Sequence, residues 1–446
     1  MNHDALSSHD RTEPLFPDGH PLRRLVRPTF DTIRRAFDGL FVSTIWNDAV
    51  EDPKRAGFRP SYDSLLGPGS STMMPFVAAW MSTGPTREGA PAPPARPNVV
   101  LFLEGMDRSL VTWATRAGLL GRHEFVTSVP AMKARVAAAG MPLYSIDDVG
   151  EDFDAHVRVR SDLSRWLNSK EHLETVTAFA PREVRKDMYD VSRADYEAAA
   201  ASGGRVFLKT CNTESAGMGV FIAASAAEFD AHLAALRDKQ RRYDLNRTLV
   251  IQPEIEGRNQ SFQVLLDPRT KDEIQVVAVT DQLVEADGKT YRSSINHPIT
   301  PGVVEPVGAA ILDMVDHVFA RHPDAFGFLM SDFFRTDAGP VIYDPGIRPT
   351  GNTATALAAH LARKLTGRFF ATSLVPLPTN RPGMTFGDFA RRAGRLVELD
   401  NLARDGRALV PWGWNAVQGF GMLIALAEDL DALEALRAEV LRLAHA

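Results

Sequence analysis

Cysteine is almost missing from this sequence: Cys211 is the single one in 446 residues, so no disulfide can close within the chain. Long apolar runs are missing too. Asn98–Leu103 and Gly419–Ala427 are among the longest, and both fall well short of the roughly 20 residues that a membrane-spanning helix needs. There is no excess of positive charge. Fifty Lys plus Arg stand against 56 Asp plus Glu, a formal net charge of −6. No global positive field is therefore available to hold a phosphate polymer, and nucleic acid is not an expected partner. The opening stretch MNHDALSSHDRTEPLFPDGH lacks the charged, apolar and small-residue regions of a secretory signal. With the lone thiol, that makes the cytoplasm the expected location, with no membrane partner. No internal repeat is visible. Glycine occurs without the spacing of a dinucleotide fingerprint, which argues against a Rossmann cofactor.

What is present is a globular composition, 44% hydrophobic and 24% charged. A chain of this length buries more than one core and divides into roughly two to four domains or subdomains. The clearest break is Thr83–Pro97, where Pro and Gly crowd together and no apolar period survives, so residues 1–95 read as an N-terminal extension and linker. The extension mixes helical patches such as Phe30–Leu40 with loops and offers no nameable chemistry. Beyond it, Asn98–Met106 has the apolar run of a buried strand, Ser109–Leu120 has helical spacing, and Glu124–Val129 reads as strand again. Ala131–Ala139 and Met141–Ile146 continue the alternation, so 96–168 is expected to be a small doubly wound α/β domain.

From Ser169 to Gly204 the chain is mainly polar and helical. Strand candidates then crowd together at Arg205–Leu208, Val220–Ala223, Leu249–Gln252, Ser261–Leu266 and Ile274–Thr280, which predicts a mostly antiparallel α+β region. A helix over Val307–His322 and strands over Gly327–Phe334 and Pro340–Tyr343 follow, and Leu430–Leu443 carries the amphipathic stripe of a packing helix.

Three elements carry chemistry. In RVFLKTCNTESAGMGV (Arg205–Val220) a short strand delivers Lys209 into a small-residue loop with Gly217 and Gly219. Glycine lets backbone amides approach phosphate oxygens, and the ammonium adds a point charge; the plain alternative is a surface lysine and a hairpin. In TLVIQPEIEGRNQSFQVLLD (Thr248–Asp267) two strands flank a hinge with Gln252, Pro253 and Glu254. An extended hinge can meet an adenine edge, or be no more than a hairpin. In GFLMSDFFRTDAGPVIYDPGIRPTG (Gly327–Gly351) two strands end in Asp332 and Asp344, with Arg348 beyond. Two such carboxylates repel unless a cation such as Mg²⁺ joins them, though an aspartate pair also solvates strand edges.

Taken in order, the three elements resemble the ATP-grasp superfamily from about Ser169 to Gly351. The resemblance implies an α/β and α+β multi-domain fold. A pre-ATP-grasp domain (96–168) would precede a nucleotide-binding lobe (169–250), a metal and catalytic lobe (251–370) and a C-terminal segment packed on the core (371–446). It further implies ATP and Mg²⁺ as cofactors. Lys170 and Lys209 would hold the phosphates, with Ser215, Gly217 and Gly219 in a flap over them. Gln252, Glu254 and the Ile255 backbone would meet adenine, with Asn259 at the ribose, where the superfamily usually has an acid. Asp332 and Asp344 become the metal ligands, and Arg348 joins Lys209 as the catalytic pair. The superfamily's second acidic strand reads acid, any residue, Asn, any residue, Arg; here it reads Asp344, Pro345, Gly346, Ile347, Arg348, leaving water or Asn352 to replace the missing Asn.

The implied activity is ligation of a small-molecule carboxylate to an amine through an acyl-phosphate. The polar cluster of Tyr291, Arg292, Ser294, Asn296 and His297 is a candidate substrate pocket, unless it merely solvates a connection. Members of the superfamily often dimerise. The N-terminal extension, KTCNTESAGMGV and PWGWNAVQGFG are most similar to the pheganomycin-type peptide ligases, which join an amino acid to a peptide amine in natural-product biosynthesis. A kinase on the same nucleotide fold, or a non-catalytic nucleotide-binding protein, are the alternatives.

Overall fold

A computed structural model describes residues 12–43, 81, 97–145, 148–211, 219–243, 246–284, 291–378, 382–416 and 420–445. Near the start, β1 (Glu13–Pro14) and β2 (Leu25–Arg27) pair antiparallel. The helix Phe30–Ala36 opens on a reciprocal cap in which Thr29 and Thr32 each accept the other's backbone amide. Next come β3 (Phe41–Ser43), β4 (Val99–Leu103), β5 (His123–Val126) and β6 (Leu143–Tyr144), ordered β5-β4-β3-β6 with every pairing parallel. Such a sheet is covered on both faces, which is why Val99–Phe102 is uniformly apolar and buried. Its helices, Arg108–Arg116 and Val129–Ala139, start at the capping side chains of Asp107 and Ser128. This is the expected α/β unit with one strand more. That strand, β3, comes from before the Pro-rich linker, whose residues 82–96 lie outside the described ones.

The next sheet is antiparallel, with β7 (Val184–Asp187), β8 (Val206–Thr210), β9 (Val220–Ala223) and β10 (Thr248–Pro253) in the order β7-β10-β8-β9. Helices Arg193–Gly203 and Ala226–Tyr243 close its core with Phe229, Leu233 and Leu236, against which Tyr196 packs. The polar stretch before Gly204 was expected to be helical, yet it supplies β7. Val-Arg-Lys-Asp has no apolar period, and it is extended because β10 offers it a full register of partners.

The largest sheet unites β11 (Arg258–Leu266), β12 (Ile274–Val284), β13 (Tyr291–Asn296), β14 (Gly327–Thr336) and β15 (Gly339–Ile347) with β1 and β2. Its order is β1-β2-β12-β11-β14-β15, and β13 lies against β12. Alternation along β11 divides the core. Phe262, Val264 and Leu266 face helices Ser161–Asn168 and Pro301–Arg321, while Leu265 faces the helix Gly351–Thr366. A last sheet, β16 (Ala371–Pro378), β17 (Arg407–Asn415) and β18 (Phe420–Ala427), carries the helix Leu430–His445. Leu433, Leu436 and Val440 of that helix are wholly buried, each contributing about 1.5–3 kcal/mol of burial. Their core runs without a break into that of Gly351–Thr366 and β4. No described helix is long and apolar enough to cross a membrane.

Candidate functional site

Between the β7–β10 sheet and the β14–β15 hairpin, charged side chains from distant parts of the sequence meet. Lys170 opens a short turn after the helix Ser161–Asn168, and its Nζ lies 2.8 Å from Asp344 Oδ1. The lysine is 6% exposed, while the Asp344 side chain keeps 33% of its surface open to solvent. Lys209 points inward from β8, where its Nζ donates to Gln252 Oε1 on β10 and stands 5.0 Å from the centre of the Tyr343 ring. Burial pushes Lys209 down to about 8, Lys170 pushes it further, and Glu183 and Asp344 oppose the fall. Two ammonium groups confined together in a dry place form a site that gains from an anionic ligand.

Asp332 and Asp344 are direct partners across β14 and β15, so their side chains leave the same face of the sheet. The register slips just past them, and Tyr343 is the extra residue of the bulge. Its hydroxyl donates to Asn259 Oδ1 at 2.8 Å and its ring stacks on Phe334. Asp332 keeps a little solvent contact, yet protein surrounds it closely. Burial first and then the Asp344 charge push its carboxyl well above the usual carboxylate range, against Lys170, a hydrogen bond from Gln282 and Arg348. A divalent cation would relieve this repulsion, so the pair fits Mg²⁺, which takes one or two carboxylates plus phosphate oxygens. Among the described residues no cluster of three or more His, Cys, Asp or Glu could hold a metal.

Arg348 lies just beyond β15, and its Nη1 is buried without a hydrogen-bond partner. A guanidinium nitrogen in that state costs stability until an acceptor arrives. Gly346 has a steric explanation. A Cβ there would stand 2.8 Å from Asn168 Oδ1 and 3.3 Å from Met330 Sδ. Asn168 holds its place by accepting from the Ile347 amide at 3.1 Å and donating to Ser164 Oγ at 3.0 Å. Asn352, the other candidate to replace the missing Asn, is buried. It donates to Ser261 Oγ at 2.7 Å and accepts from Ser294 Oγ.

The remaining expected residues divide. Gln252 reaches the site, with its carbonyl taken by Lys209. Glu254 is turned to other work: its carboxylate pairs with Arg205 and its amide donates to the Arg205 carbonyl at 2.9 Å. Ile255 is half-buried in the hinge before β11, and Asn259 is held by Tyr343. Gly219 has the positive φ of 77° that suits glycine, and its carbonyl accepts from Thr210. Ser215 and Gly217 lie outside the described residues, as does the side chain of Arg292. Ser294 is fully buried, while Asn296 and His297 line a separate cavity.

Sequence reasoning missed Glu183, Gln282, Tyr343 and Asn168. Glu183 is buried beside Arg185, and burial raises its pKa against Lys209 and Arg185. Nothing in its polar neighbourhood marks it. Gln282 was detectable in principle, because Thr280, Asp281 and Gln282 interrupt an apolar run, Val276–Val279, that reads as a buried strand.

No protein-family model matches the chain, and no curated protein matches it. Solved structures do. An ADP complex of N5-carboxyaminoimidazole ribonucleotide synthetase is 12% identical over 91% of this chain and 97% of its own, with a TM-score of 0.53. The biotin carboxylase domain of the Hydrogenobacter thermophilus 2-oxoglutarate carboxylase, solved as a dimer with MgADP, ADP and bicarbonate, is 11% identical over 91% and 90%, with a TM-score of 0.53. This is the ATP-grasp fold. Phosphoribosylamine–glycine ligase of Thermotoga maritima shares it at 11% identity, covering 78% of this chain and 91% of that one, with a TM-score of 0.52. The ATP-grasp fold and its preceding α/β unit thus agree with the expectation from the sequence. At these identities the likeness is one of fold.

Proposed function

We propose that the chain is an ATP-dependent carboxylate–amine ligase. The observation that carries this reading is the meeting of Lys170, Lys209, Asp332, Asp344 and Arg348 around one charged cleft, with Lys170 2.8 Å from Asp344. The ADP and MgADP in the structures it resembles support the same reading. Lys170 and Lys209 hold the triphosphate, and Gln252 keeps the Lys209 ammonium aimed at it. The hinge at Glu254 and Ile255 borders the adenine through its remaining backbone groups, with Asn259 near the ribose. Asp332 and Asp344 hold Mg²⁺, which when bound offsets charge on the phosphate oxygens.

A substrate carboxylate oxygen attacks the γ-phosphorus, the bond to the β-phosphate oxygen breaks, and ADP leaves. Amine nitrogen then adds to the acyl carbon, the carbon–oxygen bond to phosphate breaks, and phosphate departs as the nitrogen loses a proton. Arg348 has a buried donor to spend on the oxyanion formed in that second step. The finer reading is an amino acid joined to a peptide amine in natural-product biosynthesis. It rests on the similarity of KTCNTESAGMGV and PWGWNAVQGFG to pheganomycin-type ligases.

The test is a screen of amino acids and short peptides for release of ADP and phosphate, with product masses recorded. Amide formation with one ADP and one phosphate per product is expected. ADP alone with a stable phosphorylated product would make the chain a kinase, and no nucleotide turnover with any pair would count for a binding protein.

A further inference from the structure

A second cavity, of about 180 Å³, lies where the helix Gly351–Thr366 crosses the β12–β13 edge of the large sheet. Its lining includes Arg27, Arg363, Asn296, Val277, Ala359 and Phe369. We propose that this cavity binds a small aliphatic amino acid, at a site distinct from the triphosphate cleft.

The chemistry of the lining selects the ligand. Arg27 and Arg363 share one carboxylate, that of Glu13, which lies 3.3 Å from the Arg363 guanidinium and is paired with Arg27 as well. Two positive charges against one negative leave a residual charge of about +1 at this end, which a ligand carboxylate neutralises. Arg27 Nε is buried with no acceptor, and burial together with the Arg363 charge lowers the Arg27 pKa. His360 lines the cavity too. Its Nε2 lies 2.9 Å from the Val277 carbonyl, and burial lowers its pKa to about 4, so it adds no charge near neutrality. Asn296 is 4% exposed and donates to Thr372 Oγ1 at 2.6 Å, while its Oδ1 is buried with no donor. That oxygen asks for an N–H. Val277, Ala359 and Phe369 give an apolar wall. A carboxylate, an ammonium and a short hydrocarbon side chain meet all three demands, and a molecule of that size suits the volume.

The site's separation from the cleft follows from strand register. Asn296, Thr280, Ser261 and Asp332 occupy one row across β13, β12, β11 and β14. Three strand spacings put Asn296 roughly 14 Å from Asp332. The interval is filled by hydrogen bonds from Ser294 to Asn352, from Asn352 to Ser261, and between Ser261 and Thr280. A small ligand in the cavity therefore does not reach the aspartates. It does touch the helix that starts three residues after Arg348, through Ala359, His360 and Arg363.

Titration of the full chain with glycine, alanine, valine and leucine, without nucleotide, tests the proposal by calorimetry. One-to-one saturable binding of at least one of them is expected. Arg363→Gln, at a partly exposed side chain, and Ala359→Leu, which fills the cavity, should each weaken it at least 10-fold and leave ADP affinity unchanged. Three results would overturn the proposal: no binding at millimolar amino acid by protein that still binds ADP; binding indifferent to both variants; or an amide product containing the bound amino acid, with KM raised by Ala359→Leu, which would make the cavity the acceptor pocket. Absence of ADP binding in the unaltered chain would count against the ligase reading instead.

Discussion

Lys170 and Asp344 are distant in sequence and 2.8 Å apart in space, an ion pair joining the turn Lys170–His172 to the last strand of the large sheet. The contact places the lysine beside the carboxylate pair, where it opposes the rise in the Asp332 pKa and adds to the fall in that of Lys209. Lys209 and Asp332 thus belong to one electrostatic unit, and changing either should alter what the cleft binds.

Lys209→Ala removes a buried ammonium held toward the cleft by Gln252. A hydrogen bond to a charged group contributes about 1.5–3 kcal/mol, so ADP affinity should fall about 10- to 100-fold. Calorimetry with ADP and Mg²⁺ measures it, and an unchanged isotherm would remove Lys209 from phosphate binding.

Asp332 sets a pH dependence. Its folded pKa is raised by burial and by Asp344, so the folded state holds the proton more tightly than the unfolded chain. The resulting stability is present below the ordinary carboxylate pKa, about 4, and is lost as pH rises through the raised value. In metal-free buffer the Tm advantage of Asp332→Asn over the unaltered chain should therefore grow from acid toward pH 8. Mg²⁺-dependent turnover should disappear in the same variant. Parallel Tm curves across that range would show that Asp332 carries no such strain.

Arg348→Lys keeps the charge and loses the planar fork. Its Nη1 already lacks a partner, so the loss should fall on the reaction rather than on folding. A decrease in kcat on the order of 10²-fold, with little change in Tm, is expected from the removal of one oxyanion donor. Full kcat would free Arg348 from that duty.

Gly346→Ala tests the packing argument. The new methyl meets Asn168 Oδ1 at 2.8 Å, and two hydrogen bonds stop that amide from swinging aside. Overpacking of this kind costs about 1–3 kcal/mol, readable as a lower urea midpoint. Adding Asn168→Ala should recover part of it, whereas a double variant no better than the sum of its parts would point to another cause.

Much of this architecture could be read directly from residue pattern. The run Val99–Phe102 shows a strand covered on both faces, and the stripe of Leu433, Leu436 and Val440 shows a packing helix; both are buried as expected. Lys209, Gln252, Asp332, Asp344 and Arg348 stood out because a strand end, a hinge and a hairpin are local events with local signals. β7 gave no such signal, since Val184–Asp187 is polar and extended only because Thr248–Ile251 lies beside it. Glu183 was hidden for the same reason.

By itself the sequence determined which faces are apolar, where strands and helices begin, and in what order the charged residues arrive. Those properties depend on side-chain periods of two or about 3.6 residues, which neighbours along the chain already display. Tertiary structure alone decided that β3 crosses the linker to join the parallel sheet and that Asn168 stands where a side chain at 346 would be. It alone set Asn296 and His297 around a cavity of their own. Each of these outcomes depends on register between segments far apart in sequence, and register is settled only when distant faces pack, because no local pattern states which partner a face will meet.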